Sequence, residues 1–269
     1  MAEISAGLVK ELRELTGLGM MECKKALAEA GGDLRKAEEL LRIKSGARAS
    51  KAASRIAAEG VIGSFVSPDA KLAALVELNC ETDFVAKSED FVAFAKSLAE
   101  IAATRDPGSK EEERRQALVQ KLGENITIRR FRRMQAKGKL ALYVHGVKIG
   151  VLVDYEGAEE VGKDLAMHIA FAKPRHLNKS EVPQEVALRE RKIQEARARE
   201  SGKPPEIAAK MVEGALNKFL GEITLLGQPF VKDDKQSVEK MLAARKAKIN
   251  GYAFLVVGEG IDRQGEKAH

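Results

Sequence analysis

The sequence has few cysteines, which cross-link small secreted proteins as disulfides, and few aromatic residues. It has two cysteines, no tryptophan and 4% aromatic residues in a chain of 269. Cys23 and Cys80 fall in different predicted elements, so we expect no disulfide, and this usage is typical of a reducing cytoplasm. No apolar run approaches the ~20 residues that a membrane span needs, and no secretory signal is recognisable at the N-terminus. We therefore expect a cytoplasmic protein with no membrane partner.

The motifs of several enzyme classes are also missing. The sequence has no GxxxxGK[ST] phosphate loop and no GxSxG nucleophile elbow. Its four histidines and two cysteines show no metal-ligand spacing. One of them, His168, lies on the apolar face of a predicted helix, where a hydrogen-bonded core histidine is expected. We predict no enzyme acting through catalytic groups of its own, no metal site and no cofactor.

What is present is the composition of a globular protein with room for about two domains. Apolar residues make up 44% and charged residues 32% of the chain, and the net charge is +6. This modest excess permits an acidic partner, either protein or nucleic acid, without choosing between them.

The first 46 residues have the periodicity of three short helices. Ser5 and Asp33 are placed to cap the first and third, and glycines break the chain between them. The predicted inward stripes are Leu8, Leu12 and Leu15; Met20, Cys23, Leu27 and Ala30; and Leu34, Ala37 and Leu41. A basic stretch follows, and we place a linker at residues 47–58.

The rest of the chain predicts an α+β fold with two related subdomains. Residues 59–138 have two strand patterns followed by helices and a further strand, and residues 139–180 repeat the strand–strand–helix order. A helical hairpin at 181–222, able to form a coiled coil, interrupts the second subdomain, which resumes at 223–262. The last residues, 263–269, are expected to be a loose tail.

Two basic stretches, residues 42–55 and 129–139, leave an RNA-binding function open as the alternative. In the second stretch four arginines flank Phe131, an arrangement that can contact phosphates and stack a base. However, strand side chains alternate between faces, so the arginines should divide into two pairs and Phe131 should lie in the core. On these residues we therefore do not expect a nucleic-acid partner.

A short polar and apolar segment follows the second predicted strand: Thr82, Asp83, Phe84 and Val85. It lies where a buried strand gives way to a helix, and such loops often carry function on a rigid scaffold. The simpler interpretation is that Thr82 or Asp83 caps the helix and Phe84 belongs to the core. Local sequence leaves both open.

Several segments together resemble one family along almost the whole chain. They occur in the family's order, at residues 9–27, 78–87, 123–130, 145–152, 167–170, 201–204, 210–214 and 227–231. On these motifs the sequence resembles the bacterial elongation factor Ts family, the guanine-nucleotide exchange factors of the GTPase elongation factor Tu. The resemblance implies an N-terminal three-helix domain of the ubiquitin-associated type, two α/β core subdomains and a coiled-coil hairpin that can pair with a second copy.

The resemblance also implies a mechanism and a set of contact residues. In the family the Thr-Asp-Phe-Val motif, here Thr82, Asp83, Phe84 and Val85, places a phenylalanine between two helices of GDP-bound elongation factor Tu and disturbs its magnesium site, which lets GDP leave and GTP bind. Matches to other family contacts are Lys10, Arg13, Met20, Met21, Leu122, Gly123 and His145. For Met20 a place in the core is an equally good interpretation, whereas Met21 lies off the apolar stripe. If the resemblance holds, Phe84 should be exposed in the free protein.

Overall fold

The computed structural model describes residues 4–262, and the predicted tail at 263–269 lies outside them. The described chain combines helices with antiparallel sheets and begins with helices, so the predicted α+β class is confirmed. The first three helices are α1 (Ala6–Thr16), α2 (Met20–Glu29) and α3 (Leu34–Ala52). Ser5 and Asp33 cap α1 and α3 through their side-chain oxygens, as predicted. Their small core consists of Val9, Leu12, Leu18, Cys23, Ala26, Leu27, Ala37 and Leu41.

Two residues of the predicted inward stripes are instead exposed. Leu15 is 61% and Met20 is 58% exposed. The inward place beyond Leu12 is taken by Leu18, which the turn after α1 brings back to the core. Met20 is the first residue of α2, and a helical side chain tilts towards the N-terminus, beyond the packed part of the helix. The core interpretation of Met20 is therefore wrong.

The third helix is longer than the sequence indicated. It continues to Ala52, so the predicted boundary at residue 46 falls inside a helix and only part of 47–58 connects elements. Small residues explain the extension: Ser45, Ala49 and Ala52 lie on one buried stripe. Their small side chains let α3 pack closely against α6 (Ser109–Leu122) of the next subdomain.

The first core subdomain is a three-stranded sheet with helices on its outer face. Its elements in chain order are β1 (Glu59–Val66), β2 (Leu72–Cys80), α4 (Asp83–Ala86), α5 (Glu89–Thr104), α6 and β3 (Thr127–Gln135). All strand pairs are antiparallel, in the order β1-β2-β3. Ala74, Val76 and Leu78 of the central strand β2 pack against α5.

The second core subdomain repeats this arrangement around an inserted hairpin. It contains β4 (Lys139–His145), β5 (Ile149–Glu156), α7 (Glu159–Ala172), α8 (Gln184–Glu200), α9 (Pro205–Ile223), β6 (Pro229–Phe230), β7 (Asp233–Ser237), α10 (Val238–Ala244) and β8 (Lys248–Val256). The main sheet has the order β4-β5-β8, again antiparallel. Helices α8 and α9 form the hairpin, and α7 covers the sheet.

The two sheets pack face to face, so each has its helix on the outside. Ile62 and Leu75 of the first sheet meet Leu152 and Leu255 of the second in one apolar cluster. The sheets approach closely at Gly150, where a Cβ atom would lie 2.6 Å from the Ile62 Cγ2. The inner faces thereby fix the two subdomains relative to each other.

Each central strand also carries a buried carboxylate at its sixth residue, Glu77 in β2 and Asp154 in β5. In each sheet the pairing with the third strand shifts register beside this residue. Glu77 accepts hydrogen bonds from the N–H of Gly258, which follows β8, at 2.7 Å. Asp154 accepts them from the N–H groups of residues 137 and 138, which follow β3, at 2.8 and 2.9 Å. Each carboxylate therefore binds the segment that follows the third strand of the other sheet.

Arg129 and Arg130 were expected on opposite faces of β3, but the register shift in the first sheet brings both to the same carboxylate. Arg129 Nη1 lies 2.9 Å from Glu77 Oε1, and Arg130 Nε lies 2.5 Å from Glu77 Oε2. A regular strand would place these neighbours on opposite faces, but the extra residue of a bulge lets both reach one carboxylate. Phe131 is partly buried against the helix-side core, close to its expected position.

Candidate functional site

The strand-to-helix corner after β2 presents an aromatic ring to solvent. Thr82 caps α4, its Oγ1 accepting a hydrogen bond from the N–H of Val85 at 3.4 Å. Val85 is half-buried against the core and Ala86 is buried. Phe84 is 81% exposed, as the resemblance implied and contrary to the core interpretation. The short helix is therefore anchored by two residues while a third projects.

Asp83 supplies a fixed negative charge beside this ring. Lys87 Nζ lies 2.6 Å from Asp83 Oδ2, one turn along the chain. The hydrogen bond from Lys87 holds the pKa of Asp83 below its ordinary value of 3.8, and the more distant charge of Lys148 adds to the effect. A carboxylate in the first turn of a helix also interacts favourably with the helix dipole. Asp83 is thus ionised at neutral pH.

The turn between β4 and β5 lies beside the same corner. His145 ends β4 and is exposed, with the Tyr143 hydroxyl 3.2 Å from its Nδ1. Two contacts hold the turn to the first subdomain: the Val147 carbonyl accepts from the Ile62 N–H at 2.8 Å, and Lys148 pairs with Glu59. Because Glu59 is the β-sheet partner of Cys80, the structure brings the His145 turn close to the start of the 82–85 segment.

The end of α6 is the third part of the corner. Gly123 ends this helix in the left-handed conformation, with φ +79°, and donates its N–H to Val119. Leu122 packs partly against the core. The next residue, Glu124, accepts hydrogen bonds from the backbone N–H groups of Glu81 and Thr82. The predicted contacts Leu122 and Gly123 are therefore adjacent to the 82–85 segment.

The predicted contacts of the N-terminal domain form a separate group. Lys10 and Arg13 are exposed on α1, and Lys10 pairs with Glu14 at 3.8 Å. Met20 and Met21 are 58% and 65% exposed at the start of α2. This group approaches α6 through the turn before α2, since a Cβ on Gly17 would lie 3.4 Å from Lys121 Nζ.

Sequence reasoning missed the residues that support the corner. Glu81 and Glu124 each bind the backbone of the other's segment, although 43 residues separate them. Cys80 was also missed: its thiol donates to the Thr82 carbonyl at 3.2 Å, and burial raises its pKa to about 12, so the proton stays on sulfur. No local pattern predicts a pair so distant in sequence. The resemblance covered Cys80 and Glu81 with residues 78–87 and Glu124 with residues 123–130, but it assigned none of the three a contact.

Most cations of the two basic stretches have acidic partners. In the first stretch Arg42, Lys44, Arg48 and Arg55 pair with Glu113, Glu29, Glu22 and Glu81. In the second, Arg129 and Arg130 pair with Glu77, and Arg133 pairs with Asp106. These pairs reduce the positive charge that either stretch presents to a polyanion.

Two other features are absent from the described residues. Within residues 4–262 no group of three or more histidine, cysteine or acidic side chains could hold a metal ion. No helix in that part of the chain is both long and apolar enough to cross a membrane. Both described cysteines are buried and unpaired, as the sequence predicted.

Known proteins match this chain along most of its length. Residues 81–259 match the family model described as Elongation factor TS. An Elongation factor Ts of Bordetella petrii is 59% identical over 98% of this chain and 94% of its own length. Those of Nitrosomonas eutropha and Nitrosospira multiformis are 56% and 57% identical, over 99% and 98% of this chain and 95% and 93% of theirs.

These similarities identify the chain as a translation elongation factor. A family model that covers most of the chain and relatives matching nearly its full length leave no large segment unaccounted for. The chain belongs to the elongation factor Ts family.

Proposed function

We propose that this chain binds GDP-bound elongation factor Tu and speeds the release of GDP, which lets GTP take its place. The observation that carries the proposal is the exposure of Phe84 on a capped turn. A phenylalanine ring held in water is unfavourable, and burying it stabilises a complex by about 1.5–3 kcal/mol. The ring is therefore available to enter a partner at no cost to the protein's own core.

The exchange follows from linkage between two binding equilibria. A ring that displaces the elements holding Mg²⁺ weakens the binding of the nucleotide, because the ion bridges the nucleotide phosphates. Nucleotide and exchange factor then lower each other's affinity by the same factor. Each tenfold loss of nucleotide affinity needs about 1.4 kcal/mol, so burial of one ring is sufficient for a 10- to 100-fold effect.

The other corner residues have supporting roles in this proposal. Asp83 is an ionised acceptor beside the ring, and His145 adds a polar group from the second subdomain. Lys10, Arg13, Met20 and Met21 provide a second contact on the N-terminal domain, where the flexible methionines suit an adaptable interface. The chain supplies binding energy and no catalytic group, and it acts in the cytoplasm. Pairing of two copies through the α8–α9 hairpin stays a prediction.

The RNA-binding alternative has less support. Phosphate contact needs cations that are free to replace counterions, and most cations of the two basic stretches are paired with glutamate or aspartate. An electrophoretic shift at physiological salt tests this alternative directly. Tight RNA binding together with unchanged GDP release would favour it over exchange.

The test of exchange is the rate of release of a fluorescent GDP from elongation factor Tu at saturating concentrations of this chain. Phe84→Ala should lower that rate about 10- to 100-fold, the equivalent of the ring's burial. Because the ring makes little contact within the protein, the free energy of unfolding should change by less than about 0.5 kcal/mol.

The matched control is Phe171→Ala. Phe171 is 78% exposed on α7 in the other subdomain, so the substitution removes an equally exposed ring from a different place. This variant should release GDP at the wild-type rate. A folded Phe84→Ala protein with wild-type release would overturn the role of Phe84.

A further inference from the structure

The carboxylate of Glu124 receives three hydrogen bonds from the start of the 82–85 segment. Its Oε2 accepts from the backbone N–H groups of Glu81 and Thr82, both at 3.0 Å. Its Oε1 accepts from the Thr82 hydroxyl at 2.5 Å. Hydrogen bonds to an ionised acceptor are stronger than neutral ones. One side chain beyond the end of α6 therefore fixes two consecutive residues that lead into α4.

The attachment is reciprocal. Glu81 Oε1 accepts from the N–H of Asn125 at 2.5 Å and pairs with Arg55 at 3.2 Å. Arg55 also donates to the Gly123 carbonyl at 3.1 Å, and its own carbonyl accepts from the Asn125 side chain at 2.6 Å. The two segments, residues 81–82 and 123–125, are thus held to each other by side chains from both.

Together with the core packing of Val85 and Ala86, this attachment determines where the Phe84 ring lies. Helix α4 has four residues, too few to be stable without external support. The Thr82 hydroxyl donates to Glu124 and accepts from the Val85 N–H, so the rotamer that caps the helix depends on Glu124. Phe84 is 81% exposed and contributes little packing that could hold the helix in place.

We propose that Glu124 is a positioning residue that pre-organises the 82–85 segment for entry of Phe84 into the partner. The inference rests on the proposed exchange function and goes beyond it by assigning a role to a residue that never needs to touch the partner. A segment ordered before binding loses less conformational entropy when it binds. Without Glu124 the ring is present but samples other positions, and exchange slows.

The chemistry of the site distinguishes two substitutions. In Glu124→Ala all three hydrogen bonds are lost. In Glu124→Gln the amide oxygen can accept from both backbone N–H groups, and the amide nitrogen can donate to the Thr82 hydroxyl, which is also an acceptor. Glutamine therefore keeps the three contacts, but it removes the charge and reverses the direction of the hydrogen bond with the Thr82 hydroxyl. A role in positioning predicts partial rescue by glutamine.

The experiment measures GDP release from elongation factor Tu with single and double variants. Glu124→Ala should lower the saturating release rate about tenfold, the equivalent of about 1.4 kcal/mol, and Glu124→Gln should lower it less than about threefold. In the Phe84→Ala background, Glu124→Ala should cause no further loss, because a positioning residue acts only through the group it positions. Glu100→Ala, an exposed glutamate substitution on α5, should leave the rate unchanged.

A second measurement needs no partner. Amide hydrogen exchange at Glu81 and Thr82 should be at least about tenfold faster in Glu124→Ala than in the wild type, while amides of the β2 core remain protected. Unchanged exchange at these two amides would overturn the inference. So would a Glu124→Ala loss of release that is equally large with and without Phe84.

The outcomes separate this inference from the exchange function itself. If the wild-type chain does not speed release, both proposals fail. If the wild type speeds release and Phe84→Ala slows it, but Glu124→Ala does not, exchange stands and only the positioning role is overturned.

Discussion

The two core subdomains turn the same corner in different ways. In each, a central strand ends and the chain turns into the helix that covers the sheet. In the second subdomain β5 ends at Glu156 and α7 begins at Glu159, so residues 157–158 suffice, and the helix has no side-chain cap. In the first, residues 81–88 separate β2 from α5 and contain the extra helix α4.

The difference shows what the fold requires and what it does not. Two connecting residues are enough to join strand and helix in this architecture, so the longer connection of the first subdomain is not needed for the fold. It carries a capped turn, an exposed Phe84 and the cross-links between Glu81 and Glu124. Elaboration of one corner, absent from its structural counterpart, is what a binding function grafted on a repeated scaffold should look like.

The largest expected effect is a loss of stability when either buried carboxylate, Glu77 or Asp154, is removed. Comparing the two variants tests whether the two subdomains depend equally on their carboxylates. Glu77→Ala removes the partner of two arginines and of the Gly258 N–H, and should lower the free energy of unfolding by about 3 kcal/mol. Asp154→Ala removes two backbone contacts and an Asn250 contact and should cost about 2 kcal/mol. Urea unfolding of both variants measures the difference.

The expected loss of stability in Glu77→Ala depends on the ionisation of Glu77. Burial alone would raise the pKa of Glu77, but the Gly258 and arginine hydrogen bonds outweigh it, so the pKa lies below 4.5 and the group is ionised at neutral pH. Its contribution is therefore present above pH 4.5 and is lost as the pH falls through the lowered value. A Glu77→Ala protein as stable as the wild type at pH 7 would show that the linked sheets do not depend on this charge.

A smaller effect should distinguish the two covering helices by pH. The tenth residue of α5 is Leu98, whereas that of α7 is His168, and both are buried. His168 Nε2–H donates to Gln228 at 3.0 Å and Nδ1 accepts from the Val231 N–H at 3.2 Å. The predicted core histidine is thus confirmed. Burial lowers its pKa below 6.5, although the Gln228 hydrogen bond opposes the shift.

The sign of the pH dependence follows from this shift. Below pH 6.5 the unfolded chain takes up a proton that the folded His168 resists, so stability falls as the pH drops from 6.5 towards the lowered value. His168→Gln should be less stable than the wild type at pH 7.5 but should lose less stability between pH 7.5 and 5.5. Urea titrations at both pH values measure this. An identical pH-dependent loss in the two proteins would exclude His168 as its source.

Sequence periodicity predicted most of the architecture because the fold obeys local rules. Helix caps at Ser5 and Asp33, alternating strands and the repeated strand–strand–helix order are all local patterns. Periodicity gave wrong predictions where burial or the end of a helix depends on packing against other elements. Leu15 and Met20 carry apolar side chains at helical spacing, yet neither is covered by another element. Helix α3 continued past residue 46 because α6 supplies a surface for its small residues.

In the candidate site, too, some features could be predicted from local sequence and others could not. The position of the 82–85 segment at a corner followed from the strand and helix patterns on either side, and its suspected role followed from the family resemblance. The register shift at Arg129 and Arg130 and the contacts of Glu124 join residues about 40 to 130 positions apart. Such pairings depend on how complete elements pack, so no window of sequence contains them.

The measurement that tests the central claim most directly is the solvent exposure of the Phe84 ring in the free protein and in the complex. Fluorine-labelled phenylalanine reports exposure through the change of its resonance between H₂O and D₂O, with the Phe84 signal assigned by Phe84→Leu. The account predicts a large solvent effect at Phe84 in the free chain that disappears on binding nucleotide-free elongation factor Tu. A ring that remains as exposed in the complex as in the free chain would contradict it.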